Sequence, residues 1–222
     1  MVTIKRKPDF KKLTYEKEAW RTNQLVCGID EVGRGCFAGP IVAAAAILKP
    51  HAKYKYLKDS KELSAEERAI AYKWLMKNST FAVGIINHRI IDRVTIHLAN
   101  IYAMKRALFQ LLAHAPVAPE IILVDFIPLK FDNLEIPIIH FAKGESLSSS
   151  IAAASIIAKV TRDNLMERYN LIFPGYSFDT NKGYGTQAHK NALINLGVLF
   201  VHRNSFIKAS YIIQPNHYAE WC

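Results

Sequence analysis

Two acids stand side by side at Asp30 and Glu31, where the apolar run in LVCGIDEVGRGCFAGP (25–40) turns through Gly33-Arg34-Gly35. A third, Asp125, closes a second aliphatic run, EIILVDF (120–126). If the two runs are neighbouring parallel strands, their acids meet at one sheet edge. Carboxylates crowded together repel, and a hard divalent cation such as Mg²⁺ or Mn²⁺ relieves the repulsion because it prefers oxygen ligands. Two such ions about 3.5 to 4 Å apart activate a water and stabilise the leaving oxygen of a phosphodiester. Either Asp alone also reads as an ordinary turn residue at a strand end, whereas a turn needs only one acid, not an adjacent pair. Gly33-x-Gly35-x-x-Ala38 matches a loose dinucleotide-binding pattern too. That pattern opens a helix onto a pyrophosphate, while here Gly39-Pro40 and a strand-like run follow, with two carboxylates where the dianion would approach.

The elements that must carry these residues alternate. After the first run, PIVAAAAIL (40–48) reads as a second strand. Ser64 with Glu67 has capping-box spacing and predicts a helix of about a dozen residues. FAVGII (81–86) returns to strand character. Leu98, Ile101, Met104, Leu108 and Leu111 mark a long amphipathic helix ending before Pro116. The runs 120–126 and 135–141 are two more strands. Residues 146–162 predict a buried helix whose Ala152, Ala153 and Ala154 let it lie close to a sheet, with Ser155, Lys159 and Asp163 as its polar stripe. Thr186 caps a last helix that stops at Gly197. This order predicts an α/β fold, a mixed five-stranded sheet covered by helices. Residues 1–20, 50–60 and 174–185 read as linker-like, and the division expected is a basic segment over 1–20 followed by one domain over 21–222.

The chain of 222 residues carries 29 Lys and Arg against 19 Asp and Glu, a net charge of +10. Its field attracts polyanions or an anionic membrane surface. No apolar run is long enough to span a bilayer, and the start, MVTIKRKPDFKK, lacks the apolar segment of a secretory signal, so nucleic acid is the expected partner. Three cysteines, Cys27, Cys36 and Cys222, are an odd count with no C-x-x-C pair and no nearby His cluster, so neither a disulfide frame nor a structural zinc site follows, which fits a reducing cytoplasm. A monomer is expected.

Taken together, GIDEVGRGCFAGPIVAAAAIL, LKDSKELS, ILVDF, KGESLSSSIAAASIIAKVTRD, NKGYGT and HRNSF closely resemble bacterial ribonuclease HII, the type 2 ribonuclease H. The blocks run in family order from about residue 25 to 207. The resemblance implies a ribonuclease H-like fold with a helical C-terminal part. It also implies an endonuclease dependent on Mg²⁺ or Mn²⁺ that cuts the RNA strand of RNA/DNA hybrids and incises 5′ of ribonucleotides embedded in duplex DNA, leaving 3′-hydroxyl and 5′-phosphate ends. Asp30 and Glu31 match the family's first acid pair and Asp125 its strand-end acid. The family carries Asp after Lys-Gly in its fourth motif, where this chain has Glu145; Asp163 is the reserve candidate for that ligand. Gly33, Arg34 and Gly35 match the loop that approaches the ribose, where glycines leave no Cβ between the backbone and the 2′-hydroxyl. Tyr184 matches the tyrosine that packs on the sugar at an RNA-to-DNA junction, and without the resemblance it reads as a packed loop aromatic. Lys61, Lys143 and Ser155 are candidate phosphate partners, each equally readable as a surface lysine or, for Ser155, as a helix contact. The Glu145 departure leaves open a catalytically impaired hybrid-binding module of the same fold.

Overall fold

The aliphatic runs become the strands of one mixed sheet in the computed structural model, which describes residues 14–131, 134–141 and 144–208, with nothing described of the Thr14 and Glu145 side chains. The order is α1 (Thr14–Arg21), β1 (Val26–Val32), β2 (Ile41–Leu48), α2 (Ala65–Asn78), β3 (Ser79–Ile86), α3 (His88–Val94), α4 (Ile96–His114), β4 (Ile121–Asp125), β5 (Ile138–Phe141), α5 (Ser149–Ile172), α6 (Phe178–Asn181) and α7 (Gln187–Leu196). Single 3₁₀ turns lie at Ser60–Glu62, Gly144–Ser146 and Asn204–Phe206. The five strands are ordered β3-β2-β1-β4-β5. β2 runs antiparallel to both neighbours, whereas β1, β4 and β5 are parallel.

Successive side chains of a strand face opposite ways, so β1 feeds two cores. Cys27 and Ile29 pack with Ala99, Ala103, Met104, Ala107 and Leu108 of α4. On the other face Val42, Ala44 and Ala46 of β2 meet Ala153, Ala154, Ile157 and Ala158 of α5. Small residues set the spacing of these layers. A Cβ on Gly28 would fall on the Ser150–Ile151 backbone, so the start of α5 lies directly on β1 two residues before Asp30.

Several boundaries differ from the sequence expectation. In α4 the expected Met104, Leu108 and Leu111 are buried, but Leu98 is 42% exposed and Ala99, Ala103 and Ala107 complete the buried stripe, because a close helix–sheet contact selects small side chains. α5 begins at Ser149, where Ser148 accepts from Ile151 N–H at 3.1 Å, and continues to Ile172, well past residue 162. α3, capped by Asn87, was not anticipated. Within the expected N-terminal linker, α1 forms and docks: Ala19 and Trp20 are buried, and the fully buried Glu16 accepts from Ser148 Oγ at 2.6 Å and Ser150 N–H at 2.9 Å at the start of α5. The 174–185 stretch contains α6. The capping box at Ser64 and Glu67 forms in both directions, and Thr186 and Gly197 bound α7 as expected.

Candidate active site

In the parallel pair of β1 with β4 the last registered partners are Ile29 and Val124, and the next residue on each strand is an acid, Asp30 and Asp125. Neighbouring strands lie about 4.8 Å apart, so the two carboxylates emerge together. Asp30 points to the α5 face and is only 7% exposed. Its Oδ1 accepts the Glu31 N–H at 2.7 Å, and the Ser155 hydroxyl also stabilises its charge. Ser155 Oγ is in turn 2.9 Å from Ser60 Oγ, so the DSK turn is tied to α5 behind the acid. Ser155, readable from the sequence as a phosphate partner or as a helix contact, here places its buried hydroxyl behind the carboxylate.

Glu31 turns to the opposite face, toward α4. Burial, then the charges of Glu31 and Asp125, push the Asp30 carboxyl well above its ordinary range. Burial raises Glu31 to about 6, while Arg34, Asn100 and Lys61 pull it down and Asp125 raises it further. Arg34 Nη1 lies 3.6 Å from Glu31 Oε1, but the buried Oε2 has no hydrogen-bond partner. Neither does the amide of Asn100, which is fully buried on α4 and acts on Glu31 without reaching hydrogen-bond geometry. Asn100 was not singled out in the sequence; its signal is an amide on the buried, alanine-lined face of a helix.

Asp125 Oδ1 accepts from the Gly144 N–H at 2.7 Å, so the KGE loop is fastened to the strand-end acid. A Cβ on Gly144 would strike Ile151, which keeps this loop close to α5. Lys143 and the Glu145 side chain lie outside the described residues. Asp163 is held by Lys159 Nζ at 2.7 Å, while the leading charges on Asp30 are Glu31 and Asp125. Among the described residues no group of three or more His, Cys, Asp or Glu side chains forms a ready metal cage. The donor set nevertheless fits a hard cation, since acids that raise one another and a buried carboxylate oxygen without a donor ask for positive charge.

The glycine loop is built over two buried arginines. Gly33 has φ 95°, and a Cβ there would run into Arg162 of α5, whereas a Cβ on Gly35 would meet nothing within 4 Å. Arg162 donates to the carbonyls of Ala38 at 3.1 Å, Pro40 at 3.0 Å and Lys182 at 2.7 Å. Arg203 donates to those of Gly39 at 2.9 Å and Arg34 at 3.0 Å. Such fixed multiple donors suit a guanidinium rather than an ammonium. Arg162 is fully buried. Tyr184, 38% exposed, lies with its ring centroid 5.7 Å from the Arg162 guanidinium, and its backbone pairs with Cys36. Burial pushes its phenol up to about 12. The guanidinium of Arg34 stands 5.6 Å from the ring of Phe126, the exposed residue after Asp125.

A mixed sheet whose parallel central strands end in paired acids, covered by helices on both faces, defines the class of ribonuclease H-like nucleases. The solved structure of RNase HII of Archaeoglobus fulgidus in its complex with PCNA superposes with a TM-score of 0.67 at 23% identity, covering 83% of this chain and 96% of that one. Bst-RNase HIII in complex with Mn²⁺ gives 0.62 at 25% identity over 78% of this chain and 63% of that one. The family model for ribonuclease HII matches residues 27–212, and a ribonuclease HII of Listeria innocua is 43% identical over 194 residues, 86% of this chain and 72% of its own. The chain belongs to the ribonuclease HII family. Among the described residues no helix is long and apolar enough to cross a membrane.

Proposed function

We propose that this protein is an endoribonuclease that cuts the RNA strand of RNA/DNA hybrids and incises on the 5′ side of ribonucleotides embedded in duplex DNA, leaving 3′-hydroxyl and 5′-phosphate ends. Family membership supports hydrolysis of hybrids. The observation that carries the assignment to residues is the emergence of Asp30 and Asp125 side by side from parallel strands, with Glu31 beside them.

In this reading Asp30, Glu31, Asp125 and Glu145 hold Mg²⁺ or Mn²⁺. When bound, such ions would supply the Lewis acidity that phosphodiester hydrolysis needs. The chain's own residues position the strand. Ser155 and the Glu31 N–H hold the Asp30 oxygens, and the Gly144 N–H holds Asp125, so the carboxylates are fixed before substrate arrives. Gly33 and Gly35 bring main-chain groups to the ribose, where the 2′-hydroxyl is read. Arg34, whose charge already lies at Glu31, and Lys61, close enough to lower Glu31, face the phosphates. Lys143 is a further phosphate partner in the KGE loop. Tyr184 packs on the sugar at the junction. The +10 net charge holds the polyanion and makes binding salt-dependent.

The test is a DNA duplex carrying one ribonucleotide, incubated with and without Mg²⁺ or Mn²⁺, with both product ends mapped. Metal-dependent incision 5′ of the ribonucleotide is expected. Tight binding with no incision under either metal would instead indicate a hybrid-binding module.

A further inference from the structure

His189 of α7 and His202, thirteen residues on, are both fully enclosed, and neither touches the acidic site. Their Nε2 atoms lie 3.0 Å apart. The Leu199 N–H donates to His202 Nδ1 at 2.8 Å, and His189 Nδ1 is 2.9 Å from the carbonyl oxygen of Tyr184.

One proton arrangement satisfies all three contacts. His202 Nδ1 accepts the Leu199 N–H, so its proton is on Nε2 and is donated to His189 Nε2. His189 then carries its proton on Nδ1 and donates it to the Tyr184 carbonyl. Reversal fails at both ends. A proton on His202 Nδ1 reaches the Leu199 carbonyl at 3.2 Å but confronts the Leu199 N–H, and it leaves the lone pair of His189 Nδ1 against the Tyr184 oxygen. The surroundings keep both rings neutral. Phe37, Tyr176 and Phe178 pack around them at centroid distances of 5.3 to 6.5 Å. Burial lowers both imidazoles, His202 to about 4.

The far end of this chain is anchored to the glycine loop. Ala38 pairs with His202, and the Gly39 N–H donates to the Val201 carbonyl at 2.9 Å. We propose that His189 and His202 are positioning residues for cleavage at the RNA-to-DNA junction, forming a one-directional pair of neutral imidazoles that sets the backbone of Tyr184 relative to the Gly33–Gly35 loop; this rests on the junction role of Tyr184 given above. They touch no reacting atom. Their effect is on where the Tyr184 ring stands, and a misplacement of about 1 Å is enough to slow a positioned reaction strongly.

The experiment compares incision of a duplex with one ribonucleotide against cleavage of a uniform RNA/DNA hybrid. His189→Leu removes the donor to Tyr184 while filling the cage, and His189→Asn returns an N–H near the Nδ1 position. The expected result is a junction-to-hybrid kcat ratio lowered ~10-fold in folded His189→Leu and returned to within about twofold by His189→Asn. An unchanged ratio in folded His189→Leu overturns the proposal if Tyr184→Ala does lower it. If Tyr184→Ala leaves the ratio unchanged, the junction reading of Tyr184 fails, and the positioning role fails with it. Imidazole ¹⁵N spectra of the wild-type protein need no variant to fold: protons on His202 Nε2 and His189 Nδ1 at neutral pH are expected, and any other pair of tautomers overturns the relay.

Discussion

The Gly144 N–H donates to Asp125 Oδ1 at 2.7 Å, joining the loop that carries Glu145 to the end of the strand that carries Asp125. An asparagine keeps that acceptor oxygen and loses only the charge. Asp125→Asn should therefore retain its melting temperature and most duplex binding while its metal-dependent incision falls to background. Asp125→Ala loses the acceptor as well, and should unfold earlier by about 1 kcal/mol, or roughly 2 to 4 °C for a domain of this size. Full activity in Asp125→Asn would remove this residue from the metal site.

Gly33 and Gly35 separate folding from substrate approach. Gly33 has a left-handed φ of 95° and faces Arg162, so Gly33→Ala should destabilise the protein by ~2 kcal/mol or more in a denaturant titration. Gly35 has open space around it. Gly35→Ala should melt with the wild type yet, if the loop approaches the ribose as proposed, cleave ribonucleotide-containing duplex at least ~10-fold more slowly, because the added methyl group would stand between backbone and sugar.

Asp30 and Glu31 both have folded-state values above their unfolded ones, so their ionisation opposes folding. For Glu31 the favourable contribution is complete below about 4.5 and is lost as pH rises through about 6. In metal-free protein at pH 7, Asp30→Asn should consequently be more stable than the wild type, while its incision activity is expected to be lost. Thermal melts in chelator measure this, and Mg²⁺ should stabilise the wild type more than the variant.

The buried histidines impose the opposite pH dependence. His202 falls to about 4 through burial, the neighbouring His189 and, more weakly, His88, against the Leu199 carbonyl, which would accept a proton on Nδ1 and so raises it. Its folded value lies below the unfolded 6.5, so its contribution is present above 6.5 and is lost as pH falls toward 4. The loss is on the order of 3 kcal/mol over that window. The difference in stability between wild type and His202→Leu should shrink by that amount between pH 7 and pH 4 in urea titrations.

Tyr184→Ala should slow incision at a single ribonucleotide more than cleavage of uniform hybrid, since the uniform substrate offers no junction sugar. Equal loss on both substrates would contradict a junction role.

What could be read from the residues followed from local rules. Aliphatic runs ending in Asp30 and Asp125, the capping box at Ser64 and Glu67, and Thr186 and Gly197 around α7 are decided within a few residues of chain. What was missed is decided by distant partners. Arg162 looks like a surface residue beside Asp163, but its guanidinium finds backbone carbonyls more than a hundred residues earlier. Glu16 is ordinary in an N-terminal charged segment until Ser148 and Ser150 receive it. Asn100 and the His189–His202 pair are legible only after α4 and α7 have been placed on their neighbours.

The three bonds of Arg162 have a mechanical consequence. A single rigid planar group grips Ala38 and Pro40, which follow the glycine loop, and Lys182, which precedes Tyr184, leaving those two segments little freedom to drift apart. The gap between them is thus a fixed caliper, its width set by one side chain when the protein folds.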